Sequence, residues 1–299
     1  MLNISLFGET VAEIDGRTVS ASEMGGSKPR QILEILACEL GSPVAKDQLA
    51  DQLWSGRLPA SYVGTLESYV CVLRRSLGTG PERRAFLRTS SRGYLLDPEH
   101  VTVDLAQFRG LASSAFATDG TASLEMSSSA LSLTKGELLA SEPYADWAVR
   151  ARQSFHRERL ELCVRAAALA SAGGDHPRAV SLATRAFGWD PLSEDAGQQL
   201  MRALWVGGRR SQALRVYAEL RQSLLEELGD EPGRESQELY LEILRDPESS
   251  RRGGRSDGPA EMKVLLRLLR QAIDQTPGLR APANDARLSE VAVAALLAG

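Results

Sequence analysis

KDQLADQLWSGRLPASYVGTLESYVCVLRRSL, residues 46–77, is the stretch whose reading decides the fold. It reads as a short helix, a turn through Ser55, Gly56 and Pro59, and a longer helix over 59–77 that Gly78 closes. Val63, Leu66, Val70, Leu73 and Leu77 recur at steps of three and four, which makes one apolar stripe for a core. At about 100° per residue the opposite face carries Ser61, Gly64, Ser68, Val72 and Arg75, with Thr65 and Cys71 at its edges. Such small groups suit contact with another surface, but a solvated face has the same make-up. The residues that follow decide between the two.

Beyond Gly78, Phe86-Leu87 and Tyr94-Leu95-Leu96 read as two short strands around 89–93, with Gly93 placed where a bulged hairpin needs positive φ. Helix, turn, helix and hairpin is the order of a winged helix. From 57 to 96 the basic residues are Arg57, Arg74, Arg75, Arg83, Arg84, Arg88 and Arg92, against Glu67 and Glu82, in a chain whose net charge is −4. A local basic surface on an acidic protein is the electrostatic footprint of nucleic-acid binding.

The 299 residues suit two domains, each long enough to bury a core. Cys38, Cys71 and Cys163 are odd in number and widely spaced, and His100, His156 and His176 fall nowhere near them. That pattern offers neither a disulfide framework nor a zinc site and suits a reducing cytoplasm; Cys38 and Cys163 read as buried small hydrophobes. There is no signal-peptide pattern and no apolar run of about 18 residues, so no membrane association is expected.

At the N-terminus, 2–7, 10–14 and 17–20 read as strands, the last two joined by Asp15-Gly16, so a small antiparallel sheet precedes the helices. A helix from Pro29 to Gly41 follows, and Trp54 reads as a core anchor. A further helix starts at Asp104, and 115–128 is rich in small and polar residues, so the domain junction is placed between the hairpin and this region. From about Leu131 the chain is helical. Gly173-Gly174 before Ala179 and Gly207-Gly208 before Ala213 repeat at an offset of 34, which also pairs Ala183 with Tyr217 and Ala186 with Leu220. That is the tetratricopeptide period, with alanine where helices cross. Residues 247–259 read as a linker and 260–299 as a helical tail of unassigned role, with an amphipathic helix over 262–273.

The chain carries no phosphate-binding Gly-rich loop, nucleophile elbow or zinc-protease motif, so no catalytic residue, cofactor or metal is assigned and no enzyme is expected. The runs KPRQILEIL, LADQLW, TLESYVCVLRR and LRTSSRGYLL resemble the OmpR-type DNA-binding domain of the SARP family, the Streptomyces antibiotic regulatory proteins. SEPYADWAVRARQSFHRERLEL, the run from Asp190 to Gly233 and ELYLEIL are similar to the bacterial transcriptional activator domain that follows it, so the likeness covers about 1–246. The fold it implies is mainly α with a small β component: a winged helix-turn-helix over 1–100, then a tetratricopeptide-like helical domain over 101–246.

The resemblance implies a cytoplasmic, nucleoid-associated activator of a secondary-metabolite (antibiotic) gene cluster. It would bind double-stranded DNA at direct repeats near the promoter −35 element as a side-by-side homodimer, and recruit RNA polymerase holoenzyme with its sigma factor. In that frame Ser61, Gly64, Thr65, Ser68, Val72 and Arg75 belong to the recognition helix, while Arg57, Arg74, Arg88, Ser91 and Arg92 hold the backbone or form the wing. Glu67 flanks the reading face, where it accepts from a cytosine amino group or repels a phosphate. A fragment of about 1–115 is expected to keep the DNA contacts, and activation to need the helical half. Two other readings stand beside this one. The helical domain could instead sense a small molecule or peptide, with an arginine-rich groove of Arg150, Arg152, Arg157 and Arg159 for an acidic ligand. Alternatively, the winged helix could be a non-DNA protein adaptor.

Overall fold

The computed structural model describes residues 1–20, 22–78 and 86–246. The linker, the tail with its helix at 262–273, and Glu82, Arg83 and Arg84 lie outside the described residues. Among the described residues no helix is long and apolar enough to cross a membrane.

Strand β1 (Leu2–Ser5) buries Leu2 and Ile4 and turns Asn3 and Ser5 outward, the two-residue alternation of a sheet with one wet face. It pairs antiparallel with β2 (Val11–Ile14), which turns through Asp15 (φ +49) and Gly16 (φ +83) into β3 (Arg17–Val19). Both φ values are positive, as a two-residue primed turn requires. Helices α1 (Ser27–Cys38), α2 (Lys46–Trp54) and α3 (Tyr62–Ser76) follow, then β4 (Leu87–Ser90), β5 (Gly93–Leu96) and β6 (Val101–Val103). Strand β6 pairs in parallel with β1, giving the order β3-β2-β1-β6. A boundary at residue 100 therefore cuts β6 from the sheet it completes.

The helical half comprises α4 (Asp104–Phe116), α5 (Gly120–Leu133), α6 (Asp146–Ala172), α7 (His176–Trp189), α8 (Glu194–Val206), α9 (Arg210–Leu228) and α10 (Arg234–Arg245). The small-residue stretch at 115–128 thus contains most of α5 rather than a connection, with Ser123, Leu124 and Ser127 buried on α4. The 34-residue repeat is structural. Both α6 and α8 end in paired glycines, with Gly174 at φ +79 and Gly208 at φ +76. The same closing bond follows each time: Asp175 N–H donates to the Ala170 carbonyl at 2.9 Å, and Arg209 N–H to Leu204 at 2.8 Å. Ala179 and Ala213 are fully buried one turn later, where the helices cross.

The two halves share one core. Backbone bonds run from Leu139 N to Leu6 O (2.8 Å), Gly8 N to Glu137 O (2.8 Å) and Ala140 N to Gly8 O (3.1 Å). The Asp104 carboxylate, at the start of α4, accepts from the amides of Leu6 and Phe7 at 2.9 and 3.2 Å. Phe7 then packs on Phe155 and Phe108 with ring centres 4.9 and 6.4 Å away. Arg109 clamps Glu158 with two bonds of 2.9 and 3.0 Å and donates to the Cys38 carbonyl at 3.2 Å. Burial pushes the Cys38 and Cys163 thiols up to about 12 and about 11, so both stay protonated.

Candidate nucleic-acid interface

Helix α3 is held from behind by Leu66, Val70 and Leu73, each at most 1% exposed. Leu77 follows as its C-cap and is fully buried too. Val63 departs from the expected stripe: at 39% exposed it lies a turn short of the core. The helix begins at Tyr62 rather than Pro59, whose carbonyl accepts the Tyr62 amide at 3.1 Å. Ser55 and Gly56, both in the left-handed region, reverse the chain between α2 and α3. Two polar contacts fix the angle between those helices, Lys46 Nζ to Glu67 at 2.7 Å and Tyr62 OH to Asp47 at 2.9 Å. Glu67 is thereby engaged by α2, and its carboxylate draws the Lys46 ammonium above its ordinary range. Trp54 is only half-buried and stacks on Tyr69 at 6.4 Å, so it braces the edge of the core.

Ser61, Gly64, Ser68, Cys71 and Arg75 are exposed on the outer face of α3. The Thr65 hydroxyl donates back to the Ser61 carbonyl at 3.1 Å and the Ser68 hydroxyl to Gly64 at 2.9 Å. Each oxygen keeps lone pairs pointing outward. Gly64 has nothing within 4 Å of where a Cβ would stand, so the face is open there. Val72 is placed differently from its wheel position: half-buried, it packs its Cγ1 against Gly25, where a Cβ would collide with it. Arg75 makes no hydrogen bond or ion pair with a described residue and is exposed.

The hairpin runs from β4 to β5 through a two-residue turn, Ser91-Arg92, with Ser90 directly opposite Gly93. No bulge occurs. Gly93 has φ +150, and its demand comes from elsewhere: Tyr94 and Val44 exchange backbone bonds of 2.8 and 3.1 Å, pressing Gly93 onto Val44. A Cβ there would collide with the Val44 carbonyl. Ser90 Oγ accepts from the amides of Arg92 and Gly93 at 3.1 and 3.2 Å, which stiffens the turn and leaves the Ser91 and Arg92 side chains exposed.

The remaining arginines divide in role. Arg74 points inward from α3, donating to the Leu87 carbonyl at 3.0 Å and Thr89 Oγ1 at 2.8 Å, so it ties the helix to the hairpin. Arg88 pairs with Asp97 at 2.8 Å; the Glu99 amide first, then Arg88, hold that carboxyl below its ordinary range. Arg57 is exposed in the turn, its amide bonded to the Trp54 carbonyl at 2.9 Å. Among the described residues, Asp97, Glu99 and His100 form the grouping close enough to share a metal ion, and Arg88 already occupies Asp97. The pairing of Arg74 and Arg88 was beyond sequence reasoning, because their partners lie across a loop.

The architecture defines a class: a transcriptional regulator with a winged helix ahead of a repeat-helical domain. Two family models match, the transcriptional regulatory protein C-terminal domain over residues 24–96 and the bacterial transcriptional activator domain over 103–244. The chain is 32% identical to the regulatory protein DnrI of Streptomyces peucetius, over 89% of this chain and 100% of that one. It is 33% identical to the regulatory protein AfsR of Streptomyces griseus, over 81% of this chain but only 24% of AfsR. A solved structure of Mycobacterium tuberculosis EmbR, in complex with a low-affinity phosphopeptide, shares the fold with a TM-score of 0.71 at 24% identity, over 93% of this chain and 73% of that one. The chain belongs to the SARP family of transcriptional regulators.

Proposed function

We propose that the protein binds double-stranded DNA sequence-specifically and activates transcription of a secondary-metabolite gene cluster, working in the cytoplasm at the nucleoid. The observation that carries this reading is the open outer face of α3, flanked by free arginines on both the turn before it and the hairpin beside it. In this reading α3 enters the major groove. Because the Ser68 hydroxyl already donates to Gly64, its remaining lone pairs favour a base amino group as partner. Gly64 and Ser61 allow close approach, and Arg75 reaches a base edge or a phosphate. Arg57 and Arg92, and Arg88 where it shares its charge with Asp97, meet the sugar-phosphate backbone. Arg74 serves by positioning the hairpin.

In this reading the DNA site is a pair of direct repeats near the −35 element, occupied by two protomers side by side, with RNA polymerase and its sigma factor as the recruited partner. Fluorescence anisotropy of the full chain with promoter fragments from its own gene cluster tests the reading. Saturable binding whose log K falls linearly with log salt is the expected result. Equal affinity for promoter and scrambled DNA, or none for either, contradicts it.

A further inference from the structure

The arginines at 150–159 do not form one groove: Arg152 is spent on the carbonyls of Leu139, Glu142 and Pro143 at 2.9–3.1 Å, and Arg159 lies over the Trp189 ring at 4.2 Å. The unpartnered surface of the helical half is at its far end. Helices α6 and α7 form one pair of the repeat and α8 and α9 the next, while α10 packs on α8 and α9 and has no second helix among the described residues. It turns Ser236, Leu239 and Ile243 inward and stacks Tyr240 on Tyr217 at 4.3 Å. Its other face carries Glu238, Leu241, Glu242 and Arg245, all exposed. A stack of helix pairs that ends with a leucine turned outward calls for a cap with a polar outer face.

That face borders a groove of about 400 Å³, floored by Trp205 at the end of α8 and by Leu241, which is 44% exposed. Val206, next to Trp205 in the chain, is 59% exposed. The rim is acidic, with Glu238, Glu242 and Asp246 against the single Arg245. Glu238 is shared with Arg234 at 2.6 Å, and Asp246 accepts from Trp205 Nε1 at 2.6 Å. Glu242 has no ion-pair partner among the described residues. Arg210 donates to the carbonyls of Ile243 and Leu244 at 2.8 and 2.6 Å, which fixes the last turn of α10, and the chain leaves from the edge of the groove at Asp246.

The sequence that follows supplies a matching surface. At about 100° per residue, Lys263, Arg267 and Arg270 fall on one narrow stripe of a helix over 262–273, and Leu265, Leu266, Leu268, Leu269 and Ile273 cover most of the rest. Lys263 and Arg267 repeat the four-residue spacing of Glu238 and Glu242. The 15 residues of 247–261 join the two segments. Such a tether averages roughly 20 Å end to end and α10 is about 18 Å long, so 262–273 can turn back along it. We propose that residues 262–273 dock on the groove beside α10 as its second helix, with leucines on Trp205 and Leu241 and the basic stripe toward Glu238 and Glu242. Tethering holds the segment near the groove at about millimolar effective concentration, so modest contacts suffice. The proposal does not rest on the DNA-binding reading.

Photo-crosslinking of the full chain tests the proposal. A benzophenone amino acid in place of Leu241 should join to residues 262–273 of the same chain, as mapped by mass spectrometry. One in place of Tyr144, 93% exposed in the loop before α6, should not. With the probe at 241, Glu238→Lys together with Glu242→Lys should cut the yield about fivefold or more, since two attractive pairs become repulsive. Adding Lys263→Glu, Arg267→Glu and Arg270→Glu to that chain should restore it. Both glutamates are exposed, so their reversal leaves the fold intact. The proposal is overturned if the probe at 241 captures 262–273 no better than the probe at 144, if charge reversal changes nothing, or if the second reversal restores nothing. Crosslinks that join two chains overturn it too, and assign the groove to a second copy.

Discussion

At Gly93 the backbone is held at φ +150 against the Val44 carbonyl, and an added Cβ would also come within 2.9 Å of Ala45 Cα. Gly93→Ala should therefore lower stability by about 1–3 kcal/mol, the usual cost of a strained backbone with no room to relax. Thermal unfolding measures it, and an unshifted midpoint would mean that the hairpin does not press on residue 44. Glu34 makes a second prediction. It is fully buried between the halves, accepts from Ser141 Oγ at 2.8 Å, and has Arg30 Nε 3.4 Å away. Its second oxygen has no partner. Arg30 is shared with Glu142 at 2.7 Å. Burial, more than the nearby Glu142 charge, pushes Glu34 up to about 7 despite the Thr10 and Ser141 hydroxyls and Arg30. A carboxyl raised on folding takes up its proton preferentially in the folded state. Stability from this group is thus full below about 4.5 and declines as pH rises through about 7, by on the order of 3 kcal/mol. Glu34→Gln keeps the shape without the charge, so its urea midpoints between about pH 5 and 7 should fall less steeply than those of the wild type. Parallel slopes would remove Glu34 from the account. Neither residue's role was legible beforehand. Gly93 signalled a special turn, but its reason lies in a strand partner 49 positions away, and Glu34 sits in a run that reads as an ordinary helix.

Among elements, spacing decided what could be read. The helix pairs were legible because glycines, alanines and apolar positions recur at one offset, and a repeat imposes its pattern twice. Ala213 is fully buried at such a crossing, with Leu214, Val216 and Leu220 buried on the same helix. Ala213→Phe should overpack it by roughly 1–3 kcal/mol. A thermal scan of the full chain that shows no drop in midpoint would mean the crossing is loose. Strand β6 was not legible: three residues carry no periodicity, and its partner β1 lies about a hundred positions earlier. The same limit explains Val63 and Val72. A helical wheel assigns faces, but the depth of the core along the axis and the loop at Gly25 come from tertiary packing. The exposure of Ser61, Gly64, Ser68 and Arg75 on the outer face of α3 was legible because a wheel is enough for those four. The split of the arginines into free Arg57, Arg75 and Arg92 and engaged Arg74 and Arg88 was not.

For the whole molecule, the continuous core changes what a fragment can do. Cutting at residue 115 removes the strand-like partner of Leu6 and Gly8, the Phe155 ring over Phe7, and the Glu142 that meets Arg30. A 1–115 fragment should lose its cooperative thermal transition, whereas 1–246 keeps one; equal transitions would show that the winged helix stands alone. On this account the winged helix and the helical half fold together, so helix α3 is carried on the full chain. Its assignment as the base-reading element, with the hairpin turn as a phosphate holder, is the central claim. Binding of Ser68→Ala and Arg92→Ala to single-base variants of the promoter site, at several salt concentrations, tests it most directly. Ser68→Ala should lose about 1–3 kcal/mol at one base pair and reorder the preferences. Arg92→Ala should weaken all sequences alike and lower the slope of log K against log salt by about one. If Arg92→Ala reorders the bases and Ser68→Ala changes only the salt slope, the hairpin reads and the helix merely holds.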